Sequence, residues 1–115
     1  MASERRRKRI AELLKEEISA ILLREQEWPE GTIVTVTRVD LSEDVEHANV
    51  LVSILPEGAK EEVFASLMRQ VGDIQHQLNR RLRMRPVPKI RFLRETATQE
   101  ADRIEAELYK LQRKG

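Results

Sequence analysis

The sequence predicts a small α+β domain with its elements in the order α-β-β-α-α-β-α. Three observations lead there. Apolar residues recur at helical spacing near the start of the chain and again between positions 59 and 83. Two runs between positions 32 and 55 are rich in Val, Ile and Thr, the residues strands prefer. Proline and glycine stand where one period gives way to the next. A chain of 115 residues suits a single domain. Folding at this size buries roughly 60–70% of the unfolded surface, which is enough for a real core.

Each element has its own justification. Ser3 is placed to cap a first helix, in which Ile10, Leu13, Leu14, Ile18, Ile21 and Leu22 form one apolar stripe. Glu17 falls at the edge of that stripe, where a basic neighbour would pair with it. Trp28-Pro29-Glu30-Gly31 has loop chemistry. The strand expected over Thr32 to Leu41 changes apolar phase between Val34 and Val36 on one side and Val39 and Leu41 on the other. That change implies a bulge or a strand buried on both faces. Ser42-Glu43-Asp44 reads as a turn. His47 to Leu55 then alternates, with Ala48, Val50, Val52 and Ile54 on one face and Asn49, Leu51, Ser53 and Leu55 on the other. So short a connection makes the two strands antiparallel neighbours.

Pro56-Glu57-Gly58 breaks the strand. A helix is expected from about Ala59 to Val71 and a second from about Asp73 to Arg83, with a kink at Gly72 between them. Pro86 and Pro88 end the helical stretch. Lys89 to Leu93 reads as a third strand, with Ile90 and Phe92 on one face and Arg91 on the other. A last helix over 97–114 would carry Ala101, Ile104, Leu108 and Leu111. The chain thus divides into a domain over residues 1–95 and a C-terminal helical extension over 96–115.

Composition narrows the chemistry. With no cysteine, the chain has no disulfide, no thiol catalysis and no Cys-ligated metal. No apolar run approaches the 18 or so residues of a membrane span. The basic opening MASERRRKRI is not followed by a stretch suited to a signal peptide, so a cytoplasmic location is expected. The two histidines, His47 and His76, have no triad partner at motif spacing, and no dinucleotide, P-loop or zinc-protease motif occurs. A binding protein is therefore expected, without catalytic residues, metal or cofactor.

The formal net charge of +1 hides an asymmetry. Residues 69–94 hold eight basic residues and one acid, Asp73, for a local charge of +7, while the remainder carries −6. A second basic cluster, Arg5 to Arg9, opens the chain. At about 100° per residue, His76, Arg80 and Arg83 fall opposite Ile74, Leu78 and Leu82, forming one outward basic face. Arg81 flanks the apolar stripe, and Arg85 and Lys89 extend the positive surface beyond the helix. Such a patch neutralises phosphates without reading bases. The aromatic residues Trp28, Phe64, Phe92 and Tyr109 are too scattered for a base-stacking sheet.

Several stretches together resemble the bacterial ribosome-binding factor A family. They are Glu16-Glu17-Ile18-Ser19, the turn and strand from Leu41 to Ser53, the run from Val71 to Phe92, and Ala101 to Leu108. The similarity runs from about Arg6 to Leu111. It implies a type II KH-like fold, α-β-β-α-kink-α-β with a three-stranded sheet. In that family an Ala-x-Gly kink replaces the GXXG loop that clamps nucleic acid in KH domains. The matching residues here are Gln70, Val71 and Gly72, with glutamine in place of alanine. Before the first strand this chain has Trp28-Pro29-Glu30 where the family often has Asp-Pro-Arg.

The resemblance further implies a non-enzymatic assembly factor, monomeric off the ribosome. Its partners would be the immature 30S subunit and 16S rRNA, whose late maturation and 5′-end processing it supports, and the family is associated with growth in the cold. His76, Arg80, Arg81, Arg83, Arg85 and Lys89 are the expected RNA-binding residues. The alternative is a protein-interaction adaptor that uses the amphipathic first and last helices.

Overall fold

Helix α1, Glu4–Arg24, begins where the Ser3 side chain can satisfy a free backbone donor. Arg6 N–H donates to Ser3 Oγ at 3.1 Å, the N-cap expected from the sequence. The helix buries Ile10, Leu14, Ile18, Ile21 and Leu22. Leu13 does not join the stripe and is 41% exposed. One residue before Leu14, it is turned about 100° from the buried ridge. The computed structural model describes residues 3–24 and 28–95. The expected C-terminal helix, and with it the division at residue 95, lies outside the described residues.

Strands β1, Ile33–Leu41, and β2, His47–Leu55, pair antiparallel, from Ile33 opposite Leu55 to Leu41 opposite Ala48. The register slips between Val36 and Arg38. This bulge moves the inward positions from Val36 to Val39, which resolves the phase change seen in the sequence. Strand β3, Lys89–Arg94, runs parallel to β2 from His47 opposite Lys89 to Val52 opposite Arg94. The order β1-β2-β3 makes β2 central. Parallel neighbours need a long crossover, and helix α2, Lys60–Arg81, supplies it after a 3-10 turn at Glu57–Ala59.

The core forms where α1 and α2 meet one face of the sheet. Leu14 and Ile18 from α1, Leu67 and Leu78 from α2, and Val50, Ile54 and Phe92 from the sheet are nearly solvent-free. The other sheet face is also partly closed. Leu51 is 0% exposed and Asn49 2%. Both sit on the central strand, between Arg38 and Leu93 for Leu51 and between Asp40 and Arg91 for Asn49.

Two element boundaries need correction. One helix assignment runs through Gly72, so the two expected helices are a single element. Gly72 has no left-handed φ, and a Cβ built on it meets nothing within 4 Å, so neither strain nor close approach requires glycine there. Val63, Leu67, Ile74 and Leu78 bury one continuous stripe across it, and that packing outweighs a propensity loss of about 1 kcal/mol. The helix also stops at Arg81, not Arg83. Leu82 is already extended, at φ −97° and ψ 142°, so the helical wheel does not apply to Arg83.

Candidate nucleic-acid interface

The C-terminal end of α2 leaves carbonyl groups without helical partners, and cations suit that end of the helix dipole. Arg80 and Arg81 occupy the last turn. Arg85 Nη1 reaches back to the carbonyls of Leu82 and Met84, both at 2.7 Å. This basic residue therefore builds the turn that follows the helix, a role its type and spacing gave no sign of. Residues 82–88 then lead into β3, where Lys89 N–H donates to Glu46 O at 2.9 Å.

The expected RNA-binding residues do not share one helix face. His76 and Arg80 are exposed on α2, and Arg83 and Arg85 are exposed on the segment after it. Arg81 turns toward α1, with Nη1 3.7 Å from Glu17 Oε2, and both side chains are a little under 30% exposed. Glu17 thus has the basic partner expected at the stripe edge. Lys89 opens β3 opposite His47. Arg91, two residues on, shares its sheet face, and Arg91 Nε donates to Asn49 Oδ1 at 3.2 Å. Arg94 leaves the basic patch altogether, pairing with Glu61 and lying over the Phe64 ring at 5.0 Å from its centre. Gln70 Nε2 donates to Ser66 Oγ at 2.6 Å along α2, Val71 is half-buried, and the Gln70-Val71-Gly72 run lies within the helical span.

The two basic clusters meet, which their separation in sequence concealed. Arg6, near the start of α1, and Arg85, after α2, line one cavity of about 360 Å3. The turn between β1 and β2 closes its third side through Asp44, Val45 and Glu46. Ser42 organises that turn. Its hydroxyl donates to Asp44 Oδ1 at 2.6 Å and accepts from His47 N–H at 3.0 Å. Asp44 Oδ1 also accepts from Glu46 N–H at 3.0 Å. The hydroxyl of Ser42, then the backbone N–H of Glu46, hold the Asp44 carboxyl below the usual carboxylate range. Val45 takes φ +61°, a left-handed conformation that β-branched residues rarely adopt. The sequence marked this turn but carried no sign of the strain at Val45.

Among the described residues no helix is long and apolar enough to cross a membrane, and no three His, Cys, Asp or Glu side chains gather as a metal site.

On this three-stranded α+β domain, exposed arginines stand in the last turn of α2 and in the segment after it, and Arg6 of α1 shares a cavity with Arg85. The chain belongs to the ribosome-binding factor A family, whose model matches residues 6–108. The ribosome-binding factor A of Microcystis aeruginosa is 38% identical over 107 residues, covering 90% of this chain and 84% of that protein. The crystal structure of ribosome-binding factor A from Thermus thermophilus superposes with a TM-score of 0.69 at 26% identity, over 80% of this chain and 98% of that one. A Thermus thermophilus homology model fitted into the cryo-EM map of a 30S complex matches with a TM-score of 0.63 at 30% identity, over 76% and 92% of the two chains. The three-stranded α+β architecture agrees with the fold expected from the resemblance.

Proposed function

We propose that this protein binds the immature small ribosomal subunit through 16S rRNA phosphates and supports late maturation, including that of the 16S 5′ end, without catalysing a reaction. The observation that carries this reading is the run of exposed arginines Arg80, Arg83 and Arg85 at and just beyond the end of α2, with Arg6 of α1 lining the same cavity as Arg85. The 30S complex of the Thermus thermophilus relative supports the choice of subunit. Phosphate contacts position a protein on folded RNA and release counterions, so binding falls steeply with salt. Bound only to the immature conformation, the protein shifts the RNA toward the state it recognises. The chain would act in the cytoplasm, as a monomer off the ribosome.

The test is co-sedimentation with free small subunits across a salt series. Arg80→Glu with Arg83→Glu should weaken binding at least tenfold. The two lost phosphate contacts should lower the slope of log affinity against log salt by about 1.5. Cells lacking the protein should accumulate unprocessed 16S 5′ ends by primer extension, more so in the cold, and the charge-reversed form should not restore them. Affinity insensitive to both salt and charge reversal would overturn the phosphate reading and favour the adaptor.

A further inference from the structure

We propose that the cavity between the start of α1, the 42–46 turn and the 82–88 segment holds a single unpaired nucleobase of RNA. The proposal rests on the RNA-binding function above and names a subsite for it.

The cavity is built from three elements and combines the features a base needs. Ile10, Val45, Met84 and Pro86 supply apolar wall, against which the flat face of a base loses water. Arg6 comes from α1 and Arg85 from the opposite segment. Guanidinium groups stack on base planes and bridge to phosphates. Arg85 is held in place by its two carbonyl partners, so less side-chain entropy is lost when a ligand arrives. Among the described residues, neither arginine has an ion-pair partner that would have to be displaced.

The remaining wall is acidic, from Asp44 and Glu46. A phosphate alone would be repelled there. A base edge bearing N–H donors would not, because carboxylates accept hydrogen bonds only. Asp44 is oriented by Ser42 and by the Glu46 backbone. Guanine presents two adjacent donors on its pairing edge, adenine and cytosine one amino group, and uracil a single ring N–H. The pocket should therefore prefer guanine and reject uracil. Val45, held in the left-handed region at the cavity wall, fits a functional surface, since such strain concentrates at binding sites. The volume of about 360 Å3 lies at the lower end of the range for small-molecule pockets, about 300–1,000 Å3. Bases splayed from bulges and loops are the usual targets of specific RNA recognition.

The experiment compares the full chain with RNA hairpins carrying one bulged G, one bulged U, or no bulge, at a fixed salt concentration. The bulged-G hairpin should bind about tenfold tighter than the paired one and several-fold tighter than the bulged-U hairpin. Met84→Trp, which fills the cavity from a half-buried position, should bring the bulged-G and bulged-U affinities down to that of the paired hairpin. Glu46→Gln should shrink the G-over-U preference. Free GMP in excess should compete for the bulged-G advantage only. Equal affinity of the wild type for all three hairpins would overturn the pocket while leaving the phosphate reading intact, as would a G-bulge preference that survives Met84→Trp. No binding to any hairpin would overturn both.

Discussion

Replacing Gly72 by alanine should stabilise this protein, because nothing around that position uses the glycine. It lies inside the 22-residue helix α2, is exposed, and has no left-handed φ. An added Cβ meets nothing within 4 Å, so no steric cost opposes the change. Alanine in a helix interior is favoured over glycine by about 0.8–1.0 kcal/mol. Part of the gain comes from a more restricted unfolded chain. For a domain of this size, about 4–8 °C of melting temperature corresponds to 1 kcal/mol, so the midpoint should rise by roughly 3–8 °C. Thermal unfolding followed by circular dichroism at 222 nm reads this directly, and co-sedimentation with small subunits measures function in parallel. A lowered midpoint would refute the reasoning, since it would mean that the glycine relieves strain or makes room for a neighbour. A raised midpoint with lost subunit binding would mean that the protein bends at Gly72 when bound. Gly72→Val, which the expected kink would make disruptive, should change stability by no more than about 0.5 kcal/mol, because valine ranks slightly above glycine in helices.

Other substitutions report on separate features. Leu51→Ala, on the sheet face away from α1 and α2, should cost about 2–5 kcal/mol by urea denaturation, like a core residue, because Leu51 is 0% exposed. Ser42→Ala should cost about 1–3 kcal/mol by the same measurement, since a fully buried hydroxyl with two hydrogen-bond partners is lost. The Asp44 carboxyl, held below its usual range, contributes stability that is fully present above the unfolded value near 3.9 and is lost as pH falls through the lower folded value. Denaturation midpoints between pH 6 and pH 2 should show a smaller acid loss in Ser42→Ala than in wild type, because the largest cause of the depression is gone. A double-mutant cycle on Glu17 and Arg81 should give less than about 1 kcal/mol of coupling, given 3.7 Å between partly exposed side chains.

The sequence by itself determined the number and kind of the described elements, except at one place. Val, Ile and Thr alternation located β1 and β2 to within a residue, and the phase change from Val36 to Val39 announced the bulge. Ser3 and the 42–44 turn were legible because capping and turn formation depend on side chains close in sequence to the backbone they bond. The split into two helices at Gly72 misled because local propensity is a weak force, while the stripe of Val63, Leu67, Ile74 and Leu78 was present in the same residues and spoke for one helical element. The end of that helix at Arg81 also escaped, because the carbonyls just beyond it are reached by Arg85, a residue whose charge suggested a different use.

What only the tertiary structure decided is which surfaces face the same way. Periodicity reports which side of an element is buried but not which elements lie side by side. The place of β3 against β2 follows from a crossover through α2 and not from any local signal. That pairing puts Lys89 beside His47 and Arg91 beside Asn49 on the outer sheet face. It also brings the β1–β2 turn against the 82–88 segment, and packing of α1 brings Arg6 to the same cavity. Two arginines 79 positions apart in the chain become neighbours of one pocket because burying three apolar faces together leaves few ways to arrange the chain, and that arrangement is not encoded in either cluster alone.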